Sequence, residues 1–83
     1  MRSPSAYGQP LTAGQLAALR LAAVGYSSRE IATRLGSTET GMNRRFAEAA
    51  IRLGARSRTH AVVLAIRAGY IDPHHLDLER PAA

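Results

Sequence analysis

Residues 25–38 read Gly25-Tyr26-Ser27-Ser28-Arg29-Glu30-Ile31-Ala32-Thr33-Arg34-Leu35-Gly36-Ser37-Thr38. Ser27 stands three residues before Glu30. That spacing predicts a capping box, in which the serine hydroxyl accepts the Glu30 N–H and the glutamate side chain accepts the Ser27 N–H. Ile31, Ala32 and Leu35 then supply the inner face of a short helix. Gly36 suits the left-handed residue that ends it. Ser37-Thr38 follow at once and offer the N-cap of another helix. Helix, glycine turn, helix at this spacing predicts a helix-turn-helix.

The third helix is predicted over about 39–53, ended by Gly54. With Met42 in the core, Phe46, Ala49 and Leu53 fall on the same face. Thr40, Arg44, Ala47 and Ile51 then point away, flanked by Asn43 and Glu48, with Arg45 and Arg52 on one shoulder. Upstream, Thr12 is a candidate N-cap for a first helix ended by Gly25. Its apolar stripes (Leu16, Leu19, Ala23 and Ala17, Leu21, Val24) are interrupted only by Gln15 and Arg20, so burial of most of the helix is expected. Downstream, Ser57 caps a fourth helix over about 58–68, with Gly69 after it. This helix carries two apolar faces. Ala61, Leu64, Ala65 and Ala68 form one, and Val62, Val63 and Ile66 form the other. One small core covers one face, so the second is expected to meet a partner.

The expected fold class is all-α, a four-helix helix-turn-helix domain over residues 11–71. Residues 1–10, rich in Ser, Pro and Gly, read as a flexible arm. Residues 72–83 read as a short acidic tail, with one helical turn opened by Asp72-Pro73. Eighty-three residues allow one small domain with a marginal core, for which dimerisation is a natural support.

Composition narrows the function. Cysteine is absent, which excludes disulfides, thiolate zinc sites and thiol nucleophiles. The longest apolar run, 61–66, falls far short of the roughly 20 residues of a membrane span. The N-terminus has no apolar signal segment, so a cytoplasmic, nucleoid-associated location and no membrane partner are expected. The net charge is +5, and every one of the 11 bases is Arg. Residues 1–71 carry +7 and the tail −2. Within 41–58, five Arg face Glu48 alone. Such a cluster produces a field that attracts polyanions.

In the helix-turn-helix mode the third helix enters the major groove of duplex DNA. Arg44 is the foremost candidate reader, because Arg pairs bidentately with guanine O6/N7. Asn43 suits adenine, and Ala47 leaves room for a thymine methyl. Ser28, Arg29, Thr38 and Thr40 sit at helix N-termini, where hydroxyls and N–H groups suit phosphate oxygens. Arg45, Arg52, Arg56 and Arg58 are positioning charges by the same logic, and Arg2 in the arm adds another. Glu48 is expected to pair with Arg44 or Arg52 along the helix. No enzyme activity is expected: Ser and Thr serve as caps, and the glycines are helix stops. His74-His75 diverge on a helix and lack partners for a metal, so no metal or other cofactor is expected.

The stretch 11–71 resembles the LuxR-type (NarL/GerE-like) helix-turn-helix domain. The residues that carry the resemblance are Leu11-Thr12, Gly25-Tyr26-Ser27-Ser28-Arg29-Glu30-Ile31-Ala32, Leu35, Arg52-Leu53-Gly54-Ala55, Arg58 and Ala61-Val62. It runs without a gap over about three quarters of the chain. It departs where Gln15 replaces Glu and where Ser37-Thr38 replace Ile-Ser. Gly41-Met42-Asn43-Arg44-Arg45 replace Thr-Val-Lys-x-His, Ala49 replaces Ile, and His60 replaces a capping Glu. The resemblance implies a bacterial transcription regulator that binds DNA as a homodimer through the fourth helix, using Val62, Val63 and Ile66. The opening on Met1 and the short arm point to a stand-alone regulator. The rival expectation is a degenerate helix-turn-helix that binds another regulator or RNA polymerase instead of DNA.

Overall fold

Four hydroxyl side chains start four helices. In the computed structural model, which describes residues 7–76, these are α1 (Ala13–Val24), α2 (Ser28–Leu35), α3 (Glu39–Leu53) and α4 (Arg58–Arg67), followed by a 3-10 turn at Pro73–His75. Their N-caps are Thr12, Ser27, Thr38 and Ser57, each accepting the N–H three residues on. The box at Ser27 and Glu30 closes as predicted, at 2.8 and 3.1 Å. A reciprocal box joins Thr12 and Gln15, at 3.0 and 3.1 Å. At α4 the return bond is displaced by one residue: His60 Nδ1 accepts the Arg56 N–H at 3.0 Å. An N-cap bond of this kind contributes about 1 kcal/mol.

The helices end as locally as they begin. Gly36 closes α2 with φ +67°, so the backbone leaves the helix in a conformation that other residues resist. Gly36, Ser37 and Thr38 alone separate α2 from α3. The result is an all-α domain with α2 and α3 in helix-turn-helix arrangement. α3 packs against each of the other three helices, and α1 also meets α2 and α4.

The largest fully buried side chains are Leu19, Ile31, Met42 and Ile71. Ala18, Ala49, Ala61 and Ala65 are also fully buried and let the helix axes approach closely. Met42, Phe46 and Ala49 of α3 face inward as their spacing predicts. α1 differs from its predicted pattern. Only Gln15, Ala18 and Leu19 are buried, and both expected stripes flank that line, half-buried except for Leu19. Gln15 is 4% exposed, and the Thr12 N–H at the start of the helix gives its carbonyl oxygen a partner.

Residues 7–10, read from composition as part of a flexible arm, are held against the end of α3. The Gly8 N–H donates to the Arg52 carbonyl at 3.0 Å, and Arg52 Nη1 donates to the Pro10 carbonyl at 2.6 Å. The Tyr7 ring covers Gly54, where an added Cβ would stand 2.7 Å from Tyr7 Cε1. Composition reported a lack of helical period and said nothing of docking. The remainder of the arm with Arg2, and the tail beyond residue 76, lie outside the described residues. Asp72 opens the 3-10 turn, its Oδ1 accepting the His74 N–H at 2.9 Å.

Candidate nucleic-acid interface

The outward face of α3 is built by subtraction. Once Met42, Phe46 and Ala49 are buried, Asn43, Arg44, Ala47 and Glu48 must be exposed, and they are. The side chains of Asn43 and Arg44 have no hydrogen bond or ion pair among the described residues. Both therefore stand with their full donor capacity free. Thr40 is exposed in the first turn. Thr38 Oγ1 accepts the Gly41 N–H at 2.9 Å, which leaves its own proton to donate outward. Gly41 makes that cap close-fitting: a Cβ there would stand 2.8 Å from Ser37 Oγ.

Arg56 and Arg29 are exposed charges on the loop before α4 and in the first turn of α2. Arg58 and Ser28, predicted separately, are brought together: Arg58 Nη1 donates to Ser28 Oγ at 2.7 Å. The Arg58 guanidinium also stands 5.0 Å from the centre of the Phe46 ring.

Two of the predicted positioning charges, Arg45 and Arg52, are half-buried and lie against other parts of the domain. Arg45 is half-buried and lies along α1, its guanidinium 3.3 Å from the place a Cβ on Gly14 would take. The missing side chain at Gly14 is what makes room for it. Arg52 is half-buried and turned to the Pro10 carbonyl. The expected ion pair of Glu48 with Arg44 or Arg52 does not form among the described residues. An exposed pair of this kind contributes about 0.3–0.5 kcal/mol, too little to hold Arg44, and at Arg52 a charge-assisted bond to the Pro10 carbonyl competes easily.

One feature has no assigned role in the sequence pattern. Asn43, Phe46, Ala47, Ala50, Ile51 and Ala55 line a groove of ≈ 450 Å³ together with residues 56–58. Ile51 is 45% exposed in it. Its outward position follows from the helical period, but the groove depends on how the α3–α4 loop returns, which period does not encode.

On α4 the second apolar face is divided. Val62 and Ile66 are half-buried and pack against the domain's own core, whereas Val63 is 54% exposed. His74 and His75 serve the turn at Asp72, with His75 Nδ1 3.1 Å from Asp72 Oδ2. Among the described residues no three His, Asp or Glu side chains gather as a metal site requires. No helix among them is long and apolar enough to cross a membrane.

Fold and site together define a helix-turn-helix domain whose third helix exposes Asn43, Arg44 and Ala47, the Asn43 and Arg44 side chains having no partner among the described residues. No protein-family profile matches the chain, and no solved structure matches it. Over 64 residues, 77% of the chain, it is 41% identical to the transcriptional activator protein VanR of Vibrio anguillarum. The matched stretch is 27% of that protein, so the chain spans about a quarter of its relative's length.

Proposed function

We propose that the chain is a LuxR-type, sequence-specific double-stranded DNA-binding transcription regulator with α3 in the major groove. The observation that carries this reading is the pair Asn43 and Arg44, exposed beside Ala47 on a face with no internal partners. Arg44 reads guanine, Asn43 reads adenine, and Ala47 accommodates a thymine methyl. Ser28, Arg29, Thr38, Thr40, Arg56 and Arg58 hold phosphates on either side. Arg45 and Arg52 act through the fold, keeping α3 in place against α1 and residues 7–10. The similarity to a transcriptional activator over most of this chain supports the assignment.

The binding unit is a homodimer joined through α4, with Val63 at the centre of the contact and Val62 and Ile66 beside it. Two-fold symmetry makes the site an inverted repeat with half-sites about one helical turn apart. The protein then works in the cytoplasm, at the nucleoid.

A second reading has one observation in its favour. The groove around Ile51 is largely apolar and lies on the same side as Asn43 and Ala47. An exposed apolar groove suits a protein partner, such as another regulator or RNA polymerase.

Selection of random duplex DNA by the purified chain, at two salt concentrations, separates the two. The first reading gives an enriched inverted repeat. With about 4 phosphates neutralised per protomer, log affinity falls with log salt at a slope of about −7. A folded, helical chain that enriches no sequence, or whose binding ignores salt, refutes it in favour of the protein-binding module.

A further inference from the structure

Arg58 and Ser28 stand thirty positions apart in the chain, at the first turns of α4 and α2. The fold joins them by a 2.7 Å hydrogen bond from Arg58 Nη1 to Ser28 Oγ. Phe46 fixes the same guanidinium from another side, with its ring centre 5.0 Å away. Phe46 is itself 5% exposed, so the ring is a rigid platform set in the core. A long side chain with many rotamers is thus held at two points although Arg58 remains exposed.

The donor count shows what this arrangement leaves over. A guanidinium has five N–H donors and no acceptor, and Ser28 takes one of them. Arg58 has no ion pair with a carboxylate among the described residues. Ser28 Oγ accepts from Arg58, so its own hydrogen is free to donate. The pair therefore presents guanidinium N–H groups and one O–H side by side. Nothing but donors, carrying a positive charge, is the complement of a phosphate oxygen pair. Arg58 also lines the groove that Asn43 and Ala47 open onto, which puts this cluster on the edge of the reading face.

We propose that Ser28 and Arg58 form a single composite phosphate contact, in which Ser28 and Phe46 are positioning groups for the Arg58 guanidinium. The inference rests on the DNA-binding reading above and sharpens it. Two residues that look like separate backbone contacts in the sequence act as one.

The test is a double-mutant cycle on binding of the full chain to the duplex selected above, measured across a salt series. Arg58→Gln removes one neutralised phosphate per protomer, so the dimer's salt slope drops by about 1.8. Ser28→Ala in the native background weakens binding about 3- to 10-fold, because the guanidinium loses its hydrogen-bonded anchor. In the Arg58→Gln background the same change weakens binding by a smaller factor, since only the hydroxyl's own contact is lost and no guanidinium remains to position. Ser28→Thr retains the hydroxyl and restores binding. Circular dichroism melts of each variant show that the fold persists.

An equal loss from Ser28→Ala in both backgrounds overturns the proposal, because Ser28 then holds its own phosphate. An unchanged salt slope in Arg58→Gln overturns it as well, because Arg58 then touches none. If the native chain shows no salt-dependent binding at all, the DNA-binding reading fails and takes this inference with it. Native binding with unchanged variants refutes this inference alone.

Discussion

Gly54 and Gly36 form a matched pair that isolates the contact made by Tyr7. Both end helices with nearly the same backbone, φ +72° and φ +67°. Alanine at either position meets the left-handed strain of an L-residue, about 1–2 kcal/mol. A Cβ at Gly36 meets nothing within 4 Å, whereas at Gly54 it would stand 2.7 Å from Tyr7 Cε1. Tyr7 is 65% exposed, so its ring swings away instead of compressing. The additional loss is the packing of the covered third of the side chain, about 0.5–1 kcal/mol of the 1.5–3 kcal/mol of a fully buried large apolar group. Gly54→Ala is therefore expected to destabilise by about 0.5–1 kcal/mol more than Gly36→Ala. In a domain of this size that is a further drop in Tm of roughly 2–8 °C. Thermal and urea melts followed by circular dichroism measure it. In a Tyr7→Ala background the two glycine substitutions should become equal. Equal costs in the native background would show that the ring does not rest on Gly54, and the docking of residues 7–10 would have to be abandoned.

Three other outcomes are expected. Arg44→Ala should relax discrimination at one base pair of each half-site by about 1–3 kcal/mol and leave the melting temperature unchanged; competition binding with site variants reads it. Val63→Glu places a charge on the exposed centre of the α4 face, so sedimentation should find monomers and DNA binding should weaken sharply, with an unchanged mass disproving the dimer. Gln15→Leu removes the acceptor of the Thr12 N–H and should lower unfolding free energy by about 0.5–1.5 kcal/mol despite the more apolar side chain, as measured by urea denaturation.

The architecture was legible because its signals are local. Thr12, Ser27, Thr38 and Ser57 each bond a backbone group three residues away, and Gly25, Gly36 and Gly54 end helices through their own φ. Such signals need no knowledge of the rest of the chain. Gln15 interrupts the apolar stripe of α1 in the sequence pattern, yet Thr12-x-x-Gln15 carries the capping-box spacing, and the two side chains close that box. The site was legible in part. The helical period places Asn43, Arg44 and Ala47 outward, and they are exposed. It does not state where a long Arg side chain ends. Arg45 at Gly14, Arg52 at Pro10 and Arg58 at Ser28 are all decided by neighbours remote in sequence. The division of α4 between Val62 and Ile66 on one side and Val63 on the other has the same origin, since periodicity names faces and packing decides which of them another helix covers.

The docking of residues 7–10 also bears on the order of events in folding. The bond from Arg52 to Pro10 closes a separation of 42 residues, far longer than the three spanned by each capping bond. Closing that loop costs more chain entropy than any capping bond, so the contact is expected to form late, after the rate-limiting barrier. Weakening it would then leave the refolding rate nearly unaltered and accelerate unfolding. In that sense the strap at Gly54 is a latch on the finished domain: it sets how long a folded molecule persists, and has little to do with how fast one is made.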